Sequence, residues 1–179
     1  MAENLINIVL LTFLVGAVVT DVRARIIPNP LVAAGMLSGL LMASLLPQGV
    51  GFLGALAGIG VGLACFLPMY ALHAMGAGDV KLMAMTGAFL GPLATFEAVL
   101  WVLLAGGLLA LLFAARHGVV RKMLGNVSTL FYSAAANVQT RNLPDFSATA
   151  SAGKLPYAVA IASGVAIFLL ARAMGFNLL

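Results

Sequence analysis

The stretch LINIVLLTFLVGAVVT, residues 5–20, is apolar almost throughout and ends at a carboxylate, Asp21. A run of this composition is typical of a helix that crosses a lipid bilayer, which takes about 20 residues. Two basic residues, Arg23 and Arg25, follow the run, whereas Glu3 is the charge that precedes it. This polarity argues against a cleaved signal peptide and favours a retained helix whose N-terminus lies outside the cytoplasm.

The composition of the whole chain also indicates a membrane protein. Apolar residues make up 63% of the 179 and charged residues only 8%, whereas a soluble domain carries roughly 25% charged residues. The single cysteine, Cys65, excludes a disulfide within the chain and a paired-cysteine metal site. We interpret Cys65 as a small residue in helix packing. The net charge of +4 reflects membrane topology, and we expect no nucleic acid partner.

Further apolar segments predict an all-α polytopic membrane protein with about six transmembrane helices. The later segments cover approximately residues 30–46, 51–72, 79–91, 93–115 and 155–174. The fourth is short of the length that a perpendicular span needs, so we expect it to start inside the protein or in a locally thin bilayer. We expect the whole chain, residues 1–179, to form a single membrane domain.

The distribution of lysine and arginine predicts the orientation of the chain. Eight of the nine lie in three connections, residues 21–29, 73–81 and 116–154. We therefore place these connections in the cytoplasm and both termini outside. Apolar residues recur at helical spacing over residues 119–131. This pattern predicts an amphipathic helix on the inner membrane surface, with a solvated linker helix as the alternative.

Two carboxylates stand at the cytoplasmic ends of predicted spans. Asp21 ends the first span and Asp79 begins the fourth, so the topology places both at the same depth. An ionisable residue in the middle of a span costs roughly 2.5–3.5 kcal/mol and is a functional candidate. Two carboxylates in close contact share a proton near neutral pH. This state suits peptide hydrolysis, because one carboxylate takes a proton from water while the other polarises the scissile carbonyl.

Structural roles for the two aspartates are the alternative. Asp21 could pair with Arg23 or Arg25, and Asp79 could cap the fourth helix. The glycines Gly76 and Gly78 favour a functional role, because glycine admits close backbone approach and positive φ. We therefore expect an extended peptide to lie against the loop beside Asp79.

The remaining ionisable residues have simpler interpretations. We interpret Glu97, near the outer end of the fifth span, as an interfacial residue. We also interpret His73 and His117 as interfacial residues rather than bases. A zinc site built from these histidines and an aspartate is conceivable, but no HExxH-like spacing supports one.

Three motifs occur in register with this topology: TDVRARIIPN (residues 20–29), GAGDVKLMAMTGAFLG (76–91) and KLPYAVAIASG (154–164). Together they resemble the type IV prepilin peptidases, which are intramembrane aspartyl proteases of the GxGD class. The similarity is closest to the short, peptidase-only branch that serves Flp/Tad pili.

The resemblance implies a reaction, a set of partners and a set of site residues. Members remove the short basic leader from prepilins or pseudopilins at the cytoplasmic face of the bacterial inner membrane. The implied partners are these precursors, membrane lipid and the pilus assembly machinery, with no metal or organic cofactor. The catalytic residues would be Asp21 and Asp79. Residues that bind substrate or support the site would be Gly76, Gly78, Lys81, Arg25, Pro28, Asn29, Pro156 and Tyr157.

The sequence departs from the larger members of this family in two ways. Those members carry a cytoplasmic insertion with paired cysteines and also N-methylate the new pilin terminus. Here the first cytoplasmic connection is short and has no CxxC, so we expect no methyltransferase activity. Ala158 stands where the family pattern has glycine, and we expect a slight effect.

Two other classes of function compete with the peptidase. A small proton-coupled carrier or channel subunit also keeps carboxylates in apolar spans. However, transport sites usually lie near the bilayer midplane, whereas both aspartates here are predicted at one face. A non-catalytic assembly protein of a secretion system is the third possibility.

Overall fold

The computed structural model describes residues 2–72, 75–116 and 157–176, which form six helices and, within these ranges, no strand. The helices are α1 Ala2–Ala24, α2 Asn29–Leu45, α3 Gly51–Ala71, α4 Ala77–Leu90, α5 Pro92–Arg116 and α6 Tyr157–Ala173. The all-α prediction is confirmed. The predicted amphipathic helix over 119–131 lies outside the described residues.

The chain divides into two compact units. The first contains residues 1–106 and 156–179, and the second contains residues 107–155. Among the described residues, α1 to α4, the first part of α5 and all of α6 belong to the first unit, which we term the helix bundle. The second unit contributes the last turns of α5.

Among the described residues, three helices are long and apolar enough to cross a membrane: Glu3–Ala24, Gly51–Ala71 and Pro92–Phe113. The helices α2 and α6 are also apolar, with 17 residues each. These lengths and compositions are consistent with the predicted polytopic membrane protein. The orientation of the chain in the membrane stays a prediction.

The helix α4 is enclosed by other helices of the bundle. It has 14 residues, and every residue from Leu82 to Gly91 is buried. The neighbouring helices α2 and α3 pack along it, and α1 and α6 also contact it. Protein rather than lipid therefore surrounds most of this short helix, and the depth of its first residue in a bilayer stays a prediction.

Glycines at four-residue spacing bring α2 and α3 against α4. A Cβ atom on Gly58 of α3 would overlap the carbonyl group of Gly87. A Cβ atom on Gly62, one turn later, would lie 2.6 Å from a carbonyl oxygen of α4. On α2, side-chain atoms of α4 lie against Gly35 and Gly39 in the same way. Such small-residue faces allow close helix packing in membranes.

Hydrogen bonds and contacts group the helix ends of the bundle into two sets. At one end, the backbone N–H of Glu3 donates to Gln48 Oε1 at 2.8 Å, and Arg172 lies 4.0 Å from the Glu3 carboxylate. At the other end, α1 and α6 meet where Asp21 accepts a hydrogen bond from Ala158. The antiparallel pairing of α1 and α6 agrees with the predicted alternation of spans.

Candidate active site

The Asp21 side chain connects the last turns of α1 to the first turn of α6. Its Oδ2 atom accepts a hydrogen bond from the backbone N–H of Ala158 at 3.2 Å. The first N–H groups of a helix have no acceptor within that helix, so the carboxylate satisfies a donor at the N-terminus of α6. The side chain is only 9% exposed. The carboxylate is thus directed at the α6 backbone.

The Asp79 side chain reaches back to the residue that precedes its own helix. Gly76 is the N-cap of α4, and its backbone N–H donates to Asp79 Oδ2 at 3.1 Å. In return, the Asp79 N–H donates to the Gly76 carbonyl oxygen at 3.1 Å. The capping interpretation therefore accounts for one oxygen of Asp79. Among the described residues, no hydrogen bond is made to its other oxygen, Oδ1.

The structure brings the two predicted aspartates together at one end of the bundle. The Asp21 and Asp79 carboxylates are close enough to interact electrostatically, and each side chain is 9% exposed. Water screens charges poorly at such buried positions, so each carboxylate is sensitive to the charge on the other.

The two glycines of the GxGD motif have ordinary backbone conformations. Gly76 has φ −81° and ψ 155°, and Gly78 lies inside α4 without a positive φ. The expectation of positive φ at these glycines is therefore wrong. What Gly78 supplies is space, because a Cβ atom there would lie 3.3 Å from Ile27 Cβ. Ile27 covers this side of the loop beside Asp79.

The connection between α1 and α2 carries three of the predicted supporting residues. Arg25 directly follows α1 and has φ +54°. Pro28 is the N-cap of α2. Asn29, the first residue of α2, accepts a hydrogen bond through Oδ1 from Lys81 Nζ at 3.0 Å. The structure therefore groups Arg25, Pro28 and Asn29 with Lys81 around one short segment.

Tyr157 lies at the start of α6, next to Ala158. Its ring packs edge-to-face on Phe66 with ring centroids 6.3 Å apart. Its side chain interacts electrostatically with Asp79. A Cβ atom on Gly106 of α5 would lie 3.2 Å from the Tyr157 hydroxyl oxygen, so this glycine leaves room for the hydroxyl.

Some of these neighbours could not be found from the sequence. Phe66 is one apolar residue among many in an apolar span, and no pattern marks it. On α5, which also lies beside Tyr157, two consecutive glycines at 106 and 107 are the feature of the sequence that could have indicated a close contact. Three residues named above, His73, His117 and Pro156, lie outside the described residues. In the part of the chain that the structure describes, no three His, Cys, Asp or Glu side chains are grouped to hold a metal ion.

The comparison with known families decides the classification. The model of the type IV leader peptidase family matches residues 8–114 of this chain. The chain belongs to this family. The predicted resemblance to the type IV prepilin peptidases is thereby confirmed.

A curated relative of this leader peptidase family member is the prepilin leader peptidase/N-methyltransferase of Myxococcus xanthus (strain DK1622). It is 35% identical over 146 residues, which cover 77% of this chain and 38% of the relative. The chain therefore matches well under half the length of that protein. No solved structure matches the chain. Both aspartates and the GxGD motif lie within the region that the leader peptidase family model matches.

Proposed function

We propose that this chain is an aspartyl endopeptidase that removes the short basic leader of Flp-type prepilins. The observation that carries the proposal is the meeting of two buried carboxylates, Asp21 from α1 and Asp79 from α4, at one end of the bundle. Membership of the type IV leader peptidase family supports peptidase activity. The name of the Myxococcus relative supports a prepilin as the substrate.

The proposed reaction uses the two aspartates as a general base and a general acid. The ionised carboxylate takes a proton from a water molecule, and the water oxygen attacks the scissile carbonyl carbon. The protonated carboxyl group donates its proton to the carbonyl oxygen, which gives a tetrahedral intermediate. When the C–N bond breaks, a proton passes to the leaving nitrogen, so that one water is added across the peptide bond. This chemistry needs no metal or organic cofactor.

The hydrogen bonds of the site suit this chemistry. Each aspartate uses Oδ2 to accept a backbone N–H, from Ala158 or from Gly76. These bonds fix the orientation of both carboxyl groups before substrate arrives, which is the condition for efficient proton transfer. Tyr157 and Lys81 would support the site, the first beside Asp79 and the second through its bond to Asn29.

The location of the proposed reaction follows from the charge distribution. At the helix end where Asp21 and Asp79 meet, the described residues include the basic residues Arg23, Arg25 and Lys81. By the positive-inside rule, this end faces the cytoplasm and both termini lie outside. The enzyme would therefore act at the cytoplasmic face of the bacterial inner membrane, close to the pilus assembly machinery that uses its product.

Single conservative substitutions test the catalytic pair. In proteoliposomes that contain a candidate Flp-type prepilin, Asp21→Asn and Asp79→Asn should each lower the rate of leader removal by about 10³-fold or more, because general acid–base catalysis of this kind contributes about 10²–10⁴ per group. Leader removal is measured as the loss of the leader mass from the substrate by mass spectrometry.

Glu97→Gln is the matched control. It removes a partly buried carboxylate of α5 that is not a member of the catalytic pair. It should leave the rate of leader removal nearly unchanged. Equal thermal stability of the wild type and the three variants in detergent shows that the substitutions preserve the fold. A wild-type rate in either aspartate variant would refute the catalytic pair.

A further inference from the structure

The segment Arg25–Asn29, which we call the strap, crosses from α1 to α2 over the GxGD loop. Ile27, at its centre, is 9% exposed, whereas its neighbour Ile26 is 66% exposed. The buried side chain of Ile27 lies on the side of Gly78 where a Cβ atom would be, and such an atom would be 3.3 Å from Ile27 Cβ. A connection of this length thus places one aliphatic side chain directly on the residue that precedes Asp79.

The strap is held in this position by the burial of Ile27 and by a side-chain hydrogen bond to α4. The hydrogen bond between Lys81 Nζ and Asn29 Oδ1 joins two exposed side chains, and such bonds contribute little in contact with water. Arg25 has φ +54°, a left-handed conformation that costs a residue with a Cβ roughly 1–2 kcal/mol. Opening of the strap therefore exposes the Ile27 side chain and breaks a hydrogen bond between two exposed side chains, while it releases Arg25 from a left-handed conformation.

A substrate beside Asp79 needs the space that Ile27 fills. The scissile peptide has to approach the Asp79 carboxylate closely enough to exchange protons with it. Two glycines, Gly76 and Gly78, stand on the N-terminal side of Asp79. Around the position that a Cβ atom on Gly78 would occupy, the nearest atoms are those of the Ile27 side chain, at 3.3 to 3.5 Å. An extended peptide and the Ile27 side chain cannot occupy this position together.

We propose that the strap is a gate in which Ile27 occupies a substrate subsite beside Gly78 and leaves it when the prepilin binds. This inference rests on the proposed function. The residue of the substrate that replaces Ile27 would be aliphatic or smaller, because the position is bounded by a glycine and shaped to an isoleucine side chain. The Lys81–Asn29 hydrogen bond is the latch of the gate.

A reversible disulfide tests whether the strap must move. In a Cys65→Ala background, Ile27→Cys with Gly78→Cys places the two Cβ atoms about 3.3 Å apart, close to the spacing that a disulfide adopts. Oxidation should lower leader removal by about 50-fold or more relative to the reduced protein, because a locked gate blocks access. Reduction should restore the rate. Ile26→Cys with Gly78→Cys is the control, and its rate should not depend on the redox state.

Thiol labelling tests the same motion without requiring catalysis. With Cys65→Ala and Asp79→Asn, Ile27→Cys should react slowly with a maleimide, and addition of prepilin should raise the rate about tenfold or more, because the buried side chain becomes exposed. Ile26→Cys is already exposed and should change little. An unchanged or lower rate at position 27, while the prepilin co-purifies with the variant, would overturn the gate.

Substitutions of the latch should shift labelling at position 27 in opposite directions. Asn29→Asp turns the hydrogen bond with Lys81 into a charge-assisted one and should slow labelling in the absence of prepilin. Asn29→Ala removes the bond and should accelerate it. A change in the same direction in both variants would contradict the latch.

The two proposals fail in distinguishable ways. Leader removal by the wild type together with full activity of the oxidised Ile27→Cys, Gly78→Cys protein would overturn the gate and leave the proposed function intact. An inactive wild type in the proteoliposome assay would overturn the proposed function, and the substrate gate with it.

Discussion

The backbone N–H of Ala158 donates a 3.2 Å hydrogen bond to Asp21 Oδ2, although the two residues are 137 positions apart in the sequence. The bond joins α1 to the first turn of α6. The N-terminus of a helix carries a partial positive charge, so α6 presents both a donor and a favourable potential to this carboxylate. The side chain at position 158 takes no part in the hydrogen bond. An alanine at this position, where the sequence led us to expect glycine, therefore leaves the hydrogen bond intact.

Removal of this N–H should reduce catalysis without removing a substrate contact. Ala158→Pro eliminates the donor, and a proline at the second position of a helix is compatible with this fold, since Pro30 occupies that position in α2. We expect kcat for leader removal to fall about tenfold, with KM nearly unchanged. Ala158→Gly keeps the N–H and should retain the wild-type kcat. An equal loss of kcat in both variants would contradict this role of the hydrogen bond.

The positions of the two aspartates could be predicted from the sequence because span order and charge place them at one end of the protein. The hydrogen-bond partners could not be predicted, because they depend on how α1 lies against α6. The Ile27 contact with Gly78 was missed for the same reason. An isoleucine in an apolar chain carries no local signal. Close approach was expected at Gly76 and Gly78, but nothing in the sequence indicates that Ile27 is the neighbour of Gly78.

Close packing of α3 on α4 should make one glycine of α3 intolerant of a methyl group. A Cβ atom on Gly58 overlaps the backbone of α4, whereas one on Gly60 meets no atom of the described residues within 4 Å. Gly58→Ala should therefore destabilise the protein by about 1–3 kcal/mol. Gly60→Ala should leave it unchanged or stabilise it by up to about 1 kcal/mol through helix propensity. Thermal unfolding in detergent compares the two, and equal unfolding temperatures would contradict the packing.

The left-handed conformation of Arg25 predicts a preference for glycine over alanine at this position. Both substitutions remove the same side-chain interactions, but glycine adopts φ +54° without a Cβ clash. Arg25→Gly should therefore be more stable than Arg25→Ala by about 1 kcal/mol. Thermal or denaturant unfolding of the two variants measures the difference. A more stable alanine variant would show that α1 does not end in this conformation.

The Tyr157 hydroxyl should contribute to activity but not to folding. Tyr157→Phe keeps the ring that packs on Phe66 and removes the hydroxyl group near Gly106 and Asp79. We expect unchanged thermal stability and a decrease of about 3–10-fold in kcat/KM, which corresponds to the loss of one modest polar interaction of about 1 kcal/mol. Tyr157→Leu, which also removes the aromatic contact, should lower stability as well. A wild-type kcat/KM in Tyr157→Phe would assign the residue to packing alone.

The short connection between α1 and α2 predicts that this chain trims its substrate without methylating it. The structure describes this connection completely, and it passes from Ala24 to Asn29 without an inserted segment. The Myxococcus relative, whose name includes N-methyltransferase, is matched over only 38% of its length. Incubation with prepilin and S-adenosylmethionine should therefore give a product whose mass equals that of the trimmed pilin. A product heavier by one methyl group, absent when the methyl donor is omitted, would show that the connection is not what determines this activity.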